Sequence, residues 1–484
     1  MEELDIATIT KRSIHGVFAL VSRTFVIQLV SLGVSVVLYA FLKESEIGVF
    51  FLVSASIAFL SYFSDIGLAA ALIQKKEALT DEDLKTTFTL QQGLVLSVVL
   101  IALLLSHFIG DLYKLNIDGV HLFQALVVSF FLSSLKTIPS IILERNLRFD
   151  KLVIPQIVET LVFNLVVLVL AIQGFGIVSY TVAVLARGVV GLATIYLIAP
   201  WKMGLGFSKS VARRLLSYGI PFQSNSILAL LKDDLLTLYL GTVLPLAQMG
   251  YLGFAQKWAY TPLRLIMDNL IRITFPSFSR LAHEPKHLGT AIEKALFATV
   301  FLVFPSLAGL ALLAPYFIEF IPKYQKWEPA VLALGLYAVN AALSSISTPL
   351  TNALNAIGKV KVSLSLMVFW TIATWVITPI AVSLFGYTGV AGAAALISSS
   401  VIIVVYLTKK HIQFELTHVL FAPFVGTVVM GITLFYLSPL LVTNLWMVFV
   451  MIGIGMVVYF AVIFALGRKQ IIADTKTIVE SLKR

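Results

Sequence analysis

The chain has 484 residues, 59% of them hydrophobic and only 12% charged, with a mean hydropathy of +0.96. An ordinary soluble domain carries about 25% charged residues, so this composition excludes a soluble fold and leaves the apolar excess facing lipid. A net charge of +10 invites a nucleic-acid reading, but in a membrane chain the informative question is where the positive charges sit.

A helix crosses the hydrocarbon core with roughly 20 mostly apolar residues. Scanning at that length predicts fourteen spans, near 14–42, 47–73, 86–109, 119–142, 153–173, 177–199, 215–241, 247–270, 293–318, 329–355, 361–384, 389–408, 417–437 and 444–466. The first follows Lys11-Arg12 but is too long for a signal-peptide core and lacks a small-residue cleavage pattern, so it reads as a retained span. The eighth is the weakest, because Gln256, Lys257, Arg264 and Asp268 interrupt it. After the last span, Ile471, Thr475, Ile478 and Leu482 share one helical face, as in a helix lying on the inner leaflet.

Charge placement supports the count. With fourteen spans, 25 of the 35 Lys and Arg residues fall on the side of the two tails, against 4 on the other side and 6 within spans. By the positive-inside rule both termini are cytoplasmic.

A repeat runs through the spans. Leu132-Ser133-Ser134 with Pro139 in the fourth span recurs as Leu343-Ser344-Ser345 with Pro349 in the tenth, and Phe175-Gly176 before the sixth recurs as Phe385-Gly386 before the twelfth. Leu38-Tyr39 with Gly48 and Leu238-Tyr239 with Gly250 relate the first and seventh spans more loosely. The reading is two six-helix lobes, residues 1–200 and 201–410, plus a final helix pair and tail at 411–484. An even number of spans per lobe makes the repeats parallel, a recurring transporter plan.

Catalytic and cofactor chemistry has no sequence support. The absence of cysteine excludes disulfides, thiolate metal sites and cysteine nucleophiles. Gly204-Leu205-Gly206-Phe207-Ser208-Lys209-Ser210 has the wrong spacing for a phosphate loop. His283 and His287 are separated by Pro285, which breaks the helix that would align them on a metal. With no cofactor and no ATP site expected, energy must come from substrate asymmetry or from H+ or Na+ coupling.

Ionisable residues inside spans are costly and usually face an interior path. Lys257, Arg264 and Asp268 fall within about 40° of one another on a helical wheel, with Tyr260 to one side, a polar stripe about 16 Å long. In the seventh span Asn225 and Lys232 share a face, and Asp233 lies on its neighbour. Lys232 with Asp233 or Asp234 reads either as an ion pair fixing helix packing or as a coupling-ion site, with Glu159 second in line for the latter. Lys136, Asp65 and Glu159 sit toward cytoplasmic span ends, where snorkelling or structural pairing is the default. Arg187, near mid-span, reads equally as a buried pair or a ligand contact.

Phe63-Ser64-Asp65-Ile66-Gly67-Leu68, the stretch from Leu143 to Leu152 (LERNLRFDKL) and Tyr218-Gly219-Ile220-Pro221-Phe222 then acquire a meaning. In their order on a fourteen-span plan they resemble the Wzx-type lipid-linked oligosaccharide flippases, the polysaccharide-export family of the multidrug/oligosaccharidyl-lipid/polysaccharide exporter superfamily. The resemblance implies an all-α polytopic membrane protein whose two lobes form a V around a central cavity that opens alternately to each side. It implies that basic residues handle the pyrophosphate of a polyprenyl-linked oligosaccharide, here Arg23, Arg187, Lys232, Lys257 and Arg264, with Asn225 and Tyr260 beside them. It further implies a monomer in the cytoplasmic membrane, working alongside glycosyltransferases and a polysaccharide polymerase, and no nucleic-acid partner. Two relatives make the alternatives. The peptidoglycan-precursor flippases typically carry several arginines in spans one and two, where only Arg23 stands here. The drug exporters usually have twelve spans and a cavity built around carboxylates.

Overall fold

The computed structural model describes residues 26–65, 67–75, 77–224 and 227–482, with side chains at all of these except 63–65, 221–222, 224 and 467–482. Among the described residues the regular elements are all helical. Helices suit a bilayer because they satisfy every backbone polar group within one segment. Packing divides the chain into two compact units, 1–250 and 251–484.

The first unit contains α1 (Val26–Phe41), α2 (Glu44–Asp65), α3 (Leu68–Gln74), α4 (Asp81–Leu104), α5 (Ser106–Leu112) and α6 (Ile117–Ser134). It continues with α7 (Thr137–Arg145), α8 (Phe149–Ile172), α9 (Val178–Ile198), α10 (Lys209–Ser224) and α11 (Ile227–Val243). The first turn of α12 (Leu246–Arg280) also belongs to it. The remainder of α12 enters the second unit with α13 (Pro285–Phe320), a 3-10 turn (Pro322–Trp327), α14 (Ala330–Ala356) and α15 (Val360–Phe385). There follow α16 (Tyr387–Ser398), α17 (Val401–Lys409), α18 (Leu416–Leu441) and α19 (Leu445–Leu482).

The sequence repeat and the packing cut the chain at different places. The repeat starts its second half after residue 200, whereas α10 and α11 pack on α2, α3 and α4 and so belong to the first unit. Eleven helices among the described residues are long and apolar enough to cross a membrane, and they match eleven of the fourteen expected spans. The first span is described only from Val26, as a shorter apolar helix. The seventh lies in α10 and α11 with Asn225 and Ser226 outside the described residues, and the eighth lies within the long, charge-bearing α12. The backbone of α19 is helical through Leu482, and the expected amphipathic face at 471–482 falls outside the described side chains.

Two spans of the first unit are broken, each for a local reason. The second span breaks at Gly67, whose φ of +72° is the left-handed conformation that glycine tolerates, and where a Cβ would run into the backbone of Gly219. The fourth breaks between Ser134 and Thr137, where Pro139 has no N–H to offer the Leu135 carbonyl four residues earlier. Glutamines of α4 brace the residues on either side of the break: Gln92 Nε2 donates to Ser134 Oγ at 3.1 Å and Gln91 Nε2 to Thr137 Oγ1 at 2.9 Å. The equivalent α14 runs unbroken through Pro349, while Gly176 and Gly386 both take left-handed φ angles, 55° and 62°.

Glycine also sets the closest helix approach. A Cβ on Gly48 would fall on the Leu246 carbonyl oxygen, and a Cβ on Gly250 would fall on that of Glu44. Each glycine therefore rests on the carbonyl four residues before the other, a reciprocal crossing of α2 with the first turn of α12. Lipid offers no hydrophobic drive between helices, so such close van der Waals approach is what holds them.

Candidate transport-path residues

The expected charges sort into three groups by environment. Arg23 and Asn225 lie outside the described residues, as does the side chain of Asp65.

The first group sits within unit 1. Glu159 on α8 is buried, and its Oε1 accepts from Lys136 Nζ at 2.6 Å, the lysine standing in the break between α6 and α7. Arg187 on α9 approaches from the other side, its Nε 3.7 Å from Glu159 Oε2. The carboxylate is pressed against Gly191, one turn beyond Arg187, where any Cβ would overlap it. Arg187 is thus not alone in mid-span. It shares one carboxylate with Lys136, leaving the trio one positive charge in excess, and its own side chain is 52% exposed. One turn further along α8, buried Asn164 donates to the Thr160 carbonyl at 2.8 Å and approaches Ser31 Oγ at 3.5 Å.

The second group is Lys232, Asp233 and Asp234 on α11. Lys232 Nζ donates to the adjacent Asp233 carboxylate, while Thr237 Oγ1 donates to the Asp233 carbonyl at 2.9 Å. Asp233 is 63% exposed, so the pair is open on one side. Asp234 is half-buried beside it and forms no ion pair within 4 Å among the described residues.

The third group is the α12 stripe, in unit 2. Lys257, Arg264 and Asp268 are all exposed, with Arg272 continuing the same side one turn on. The opposite side is packed: Ala255, Ala259 and Met267 are buried, and Leu263 and Ile266 join a core with Val303, Leu307, Ala338 and Ala341. No carboxylate reaches ion-pair distance of Lys257 or Arg264 among the described residues, so Arg264 and Asp268 share a face without bonding. Tyr260 is turned toward the packed side, its hydroxyl donating to Asn340 Oδ1 at 3.0 Å and its ring meeting Tyr337 edge-on.

Sequence reasoning missed a fourth cluster. Asp83, in the first turn of α4, is 1% exposed and accepts from Lys75 Nζ and from Arg214 Nη2, both at 2.5 Å. Thr80 forms a reciprocal capping box with it. Arg145, within the LERNLRFDKL stretch, donates to the Leu72 and Lys75 carbonyls at 2.6 and 2.5 Å, closing the C-terminus of α3. The Thr80-x-x-Asp83 spacing was the available signal.

Unit 2 also carries an apolar groove of about 420 Å³ between α13, α18 and α19, lined by Phe301, Pro305, Gly309, Met430, Gly455 and Phe460 among others. Gly309 and Gly455 open it by leaving out side chains.

Residues 37–332, more than half of the chain, match the family model described as "Polysaccharide biosynthesis protein". The chain is 27% identical over 324 residues to the lipopolysaccharide biosynthesis protein WzxC of Escherichia coli (strain K12), covering 65% of this chain and 64% of the relative. It is 20% identical over 310 residues to the succinoglycan biosynthesis transport protein ExoT of Rhizobium meliloti (strain 1021), covering 63% and 62%. In each case the match spans less than two thirds of the relative's length. The fold is similar to that of a solved structure described as the lipid II flippase MurJ, inward closed conformation, with a TM-score of 0.77 at 17% identity over 93% of this chain and 99% of that one.

Proposed function

The chain belongs to the polysaccharide biosynthesis protein family, and on that premise we propose that it is a flippase. Its substrate is a polyprenyl-pyrophosphate-linked oligosaccharide, a polysaccharide precursor carried from the inner to the outer leaflet of the cytoplasmic membrane. Transport runs by alternating access and breaks no covalent bond, so the protein is a transporter and not an enzyme. WzxC and ExoT, named for polysaccharide biosynthesis, support the substrate class.

The observation that carries the reading is the exposed cationic pair Lys257 and Arg264 on α12. They are two turns apart, about 10 Å along the helix, and no protein carboxylate within 4 Å neutralises them among the described residues. A pyrophosphate cannot cross hydrocarbon unaided, and arginine holds phosphate bidentately while staying charged. Arg23, Arg187, Lys232 and Asn225 are further substrate-binding residues in this reading, on the strength of the family resemblance. The groove between α13, α18 and α19 has the apolar lining to seat a prenyl tail. If an ion gradient drives transport, H+ or Na+ is carried by Asp233 or Asp234. Glu159 ranks below them because Lys136 and Arg187 already hold it. The protein works as a monomer with both termini cytoplasmic, between the glycosyltransferases that build the precursor and the polymerase that consumes it.

The test is a flipping assay in proteoliposomes. Arg264→Ala abolishes flipping at near-normal abundance, and Arg264→Lys keeps part of it. If Arg264 instead serves structure through Asp268, then Arg264→Ala lowers abundance and adding Asp268→Ala restores both abundance and transport. A transporting double variant would sink the substrate-binding role.

A further inference from the structure

Four connections meet at one end of unit 1: those between α1 and α2, α5 and α6, α8 and α9, and α11 and α12. They enclose a polar pocket of about 360 Å³, within the range of small-molecule sites, roughly 300–1,000 Å³. Its wall carries Glu46, Lys114, Asn116 and Asp118, and Phe175 stands at its edge with 54% of its surface exposed.

The wall is built rather than incidental. Glu46 is fixed by accepting the Lys43 backbone N–H at 2.7 Å, and its carboxylate lies over Gly176, where a Cβ would collide with it. Asn116 spends its side-chain oxygen on the Gly119 N–H at 2.9 Å. Its amide nitrogen donates to nothing among the described residues, and the same residues give Lys114 and Asp118 no ion-pair partner within 4 Å. Lys114 has a φ of 53°, Gly174 87° and Gly176 55°, so three left-handed residues shape one pocket. For a side chain such as lysine that conformation is strained, and strain of this kind collects at binding sites.

We propose that this pocket is a saccharide subsite that takes one neutral hexose unit of the glycan. Planar carboxylate and amide groups can each bridge two neighbouring hydroxyls, accepting at Glu46 and Asp118 and donating from Asn116 and Lys114. The exposed face of Phe175 covers the C–H face of a pyranose, which is apolar. Two carboxylates against one ammonium leave the wall net negative, so an acidic sugar is disfavoured. Among the described residues no three His, Cys, Asp or Glu side chains gather as a metal site. The inference rests on the flippase reading above, in whose orientation these connections face the outer side. There the subsite holds the head group as it leaves, which slows its return.

Saturation-transfer NMR on the full chain in nanodiscs tests this, with methyl glycosides of glucose, galactose, mannose and glucuronic acid as probes. At least one neutral hexoside should saturate, the glucuronide should bind more weakly, and Phe175→Ala and Asp118→Ala should each lower affinity about tenfold or more. The proposal fails if no neutral hexoside saturates, if saturation survives both variants, or if the glucuronide binds as well as the neutral sugars. Flipping of lipid-linked precursor by the same wild-type preparation separates the two readings. Transport without hexoside saturation removes the subsite alone, and saturation without transport removes the flippase alone.

Discussion

Glu159 separates a structural counter-ion from an ion carrier. Replacing it by alanine leaves Lys136, 15% exposed, without its carboxylate 2.6 Å away. Removing one partner of a buried pair costs about 3–5 kcal/mol, because the remaining charge is stranded. Arg187→Ala should cost less than about 1 kcal/mol, the range of exposed pairs, since its guanidinium is 52% exposed and 3.7 Å away. Lys136→Met combined with Glu159→Met removes both charges at similar volume and should recover most of the loss, as apolar replacements of buried ion pairs often do. Gly191→Ala provides an independent arm, displacing the carboxylate without deleting it. Its stability should fall between those of Arg187→Ala and Glu159→Ala. Unfolding of the purified protein in detergent micelles measures all four, with flipping measured alongside. The structural assignment is wrong if Glu159→Ala costs under about 1 kcal/mol, or if the double methionine variant is no more stable than Glu159→Ala. A stable double variant that has lost gradient-dependent transport would instead make Glu159 the carrier.

Asp83→Ala strands Lys75 and unties α10 from α4, so it should lower abundance by the same order as Glu159→Ala, whereas Arg214→Ala, removing a side chain that is 55% exposed, should be milder. Equal effects in a thermal unfolding series would contradict the burial argument. Gly48→Ala and Gly250→Ala each push a methyl group into a backbone carbonyl oxygen and should each destabilise by about 1–3 kcal/mol. Wild-type stability in either would mean that the helices do not cross there. Asp233→Asn together with Asp234→Asn should abolish gradient-dependent transport in proteoliposomes, and intact transport would discharge both residues from ion coupling.

The all-helical membrane fold was legible because hydropathy is a property of each segment by itself. Eleven expected spans needed only length and composition to be found. Pairing between segments left little local trace. Lys136 and Glu159 are 23 residues apart and Asp83 and Arg214 131 apart, so only the fold could bring them together. For the second pair, the capping-box spacing at Thr80 marked a helix start but not its distant arginine. Gly48 and Gly250 were visible as repeat markers, yet their reason is steric and reciprocal, and only the crossing of α2 with α12 reveals it. Tyr260 illustrates the limit of a helical wheel. It lies at the edge of the charged stripe by angle, but its ring and hydroxyl are taken up by Tyr337 and Asn340.

The eighth span turns that limit into an argument about function. Lys257, Arg264 and Asp268, with Gln256, made this segment the hardest to accept as membrane-spanning, and α12 is not among the eleven helices apolar enough to cross a bilayer. Yet one side of α12 is packed among apolar side chains while the charges share the exposed side. A structural role would have drawn those charges inward onto partners, as it did Glu159 and Asp83. A helix whose packing is complete without its charges, and which keeps them at a cost of roughly +2.5 to +3.5 kcal/mol each at a span centre, keeps them for something that is not part of the fold.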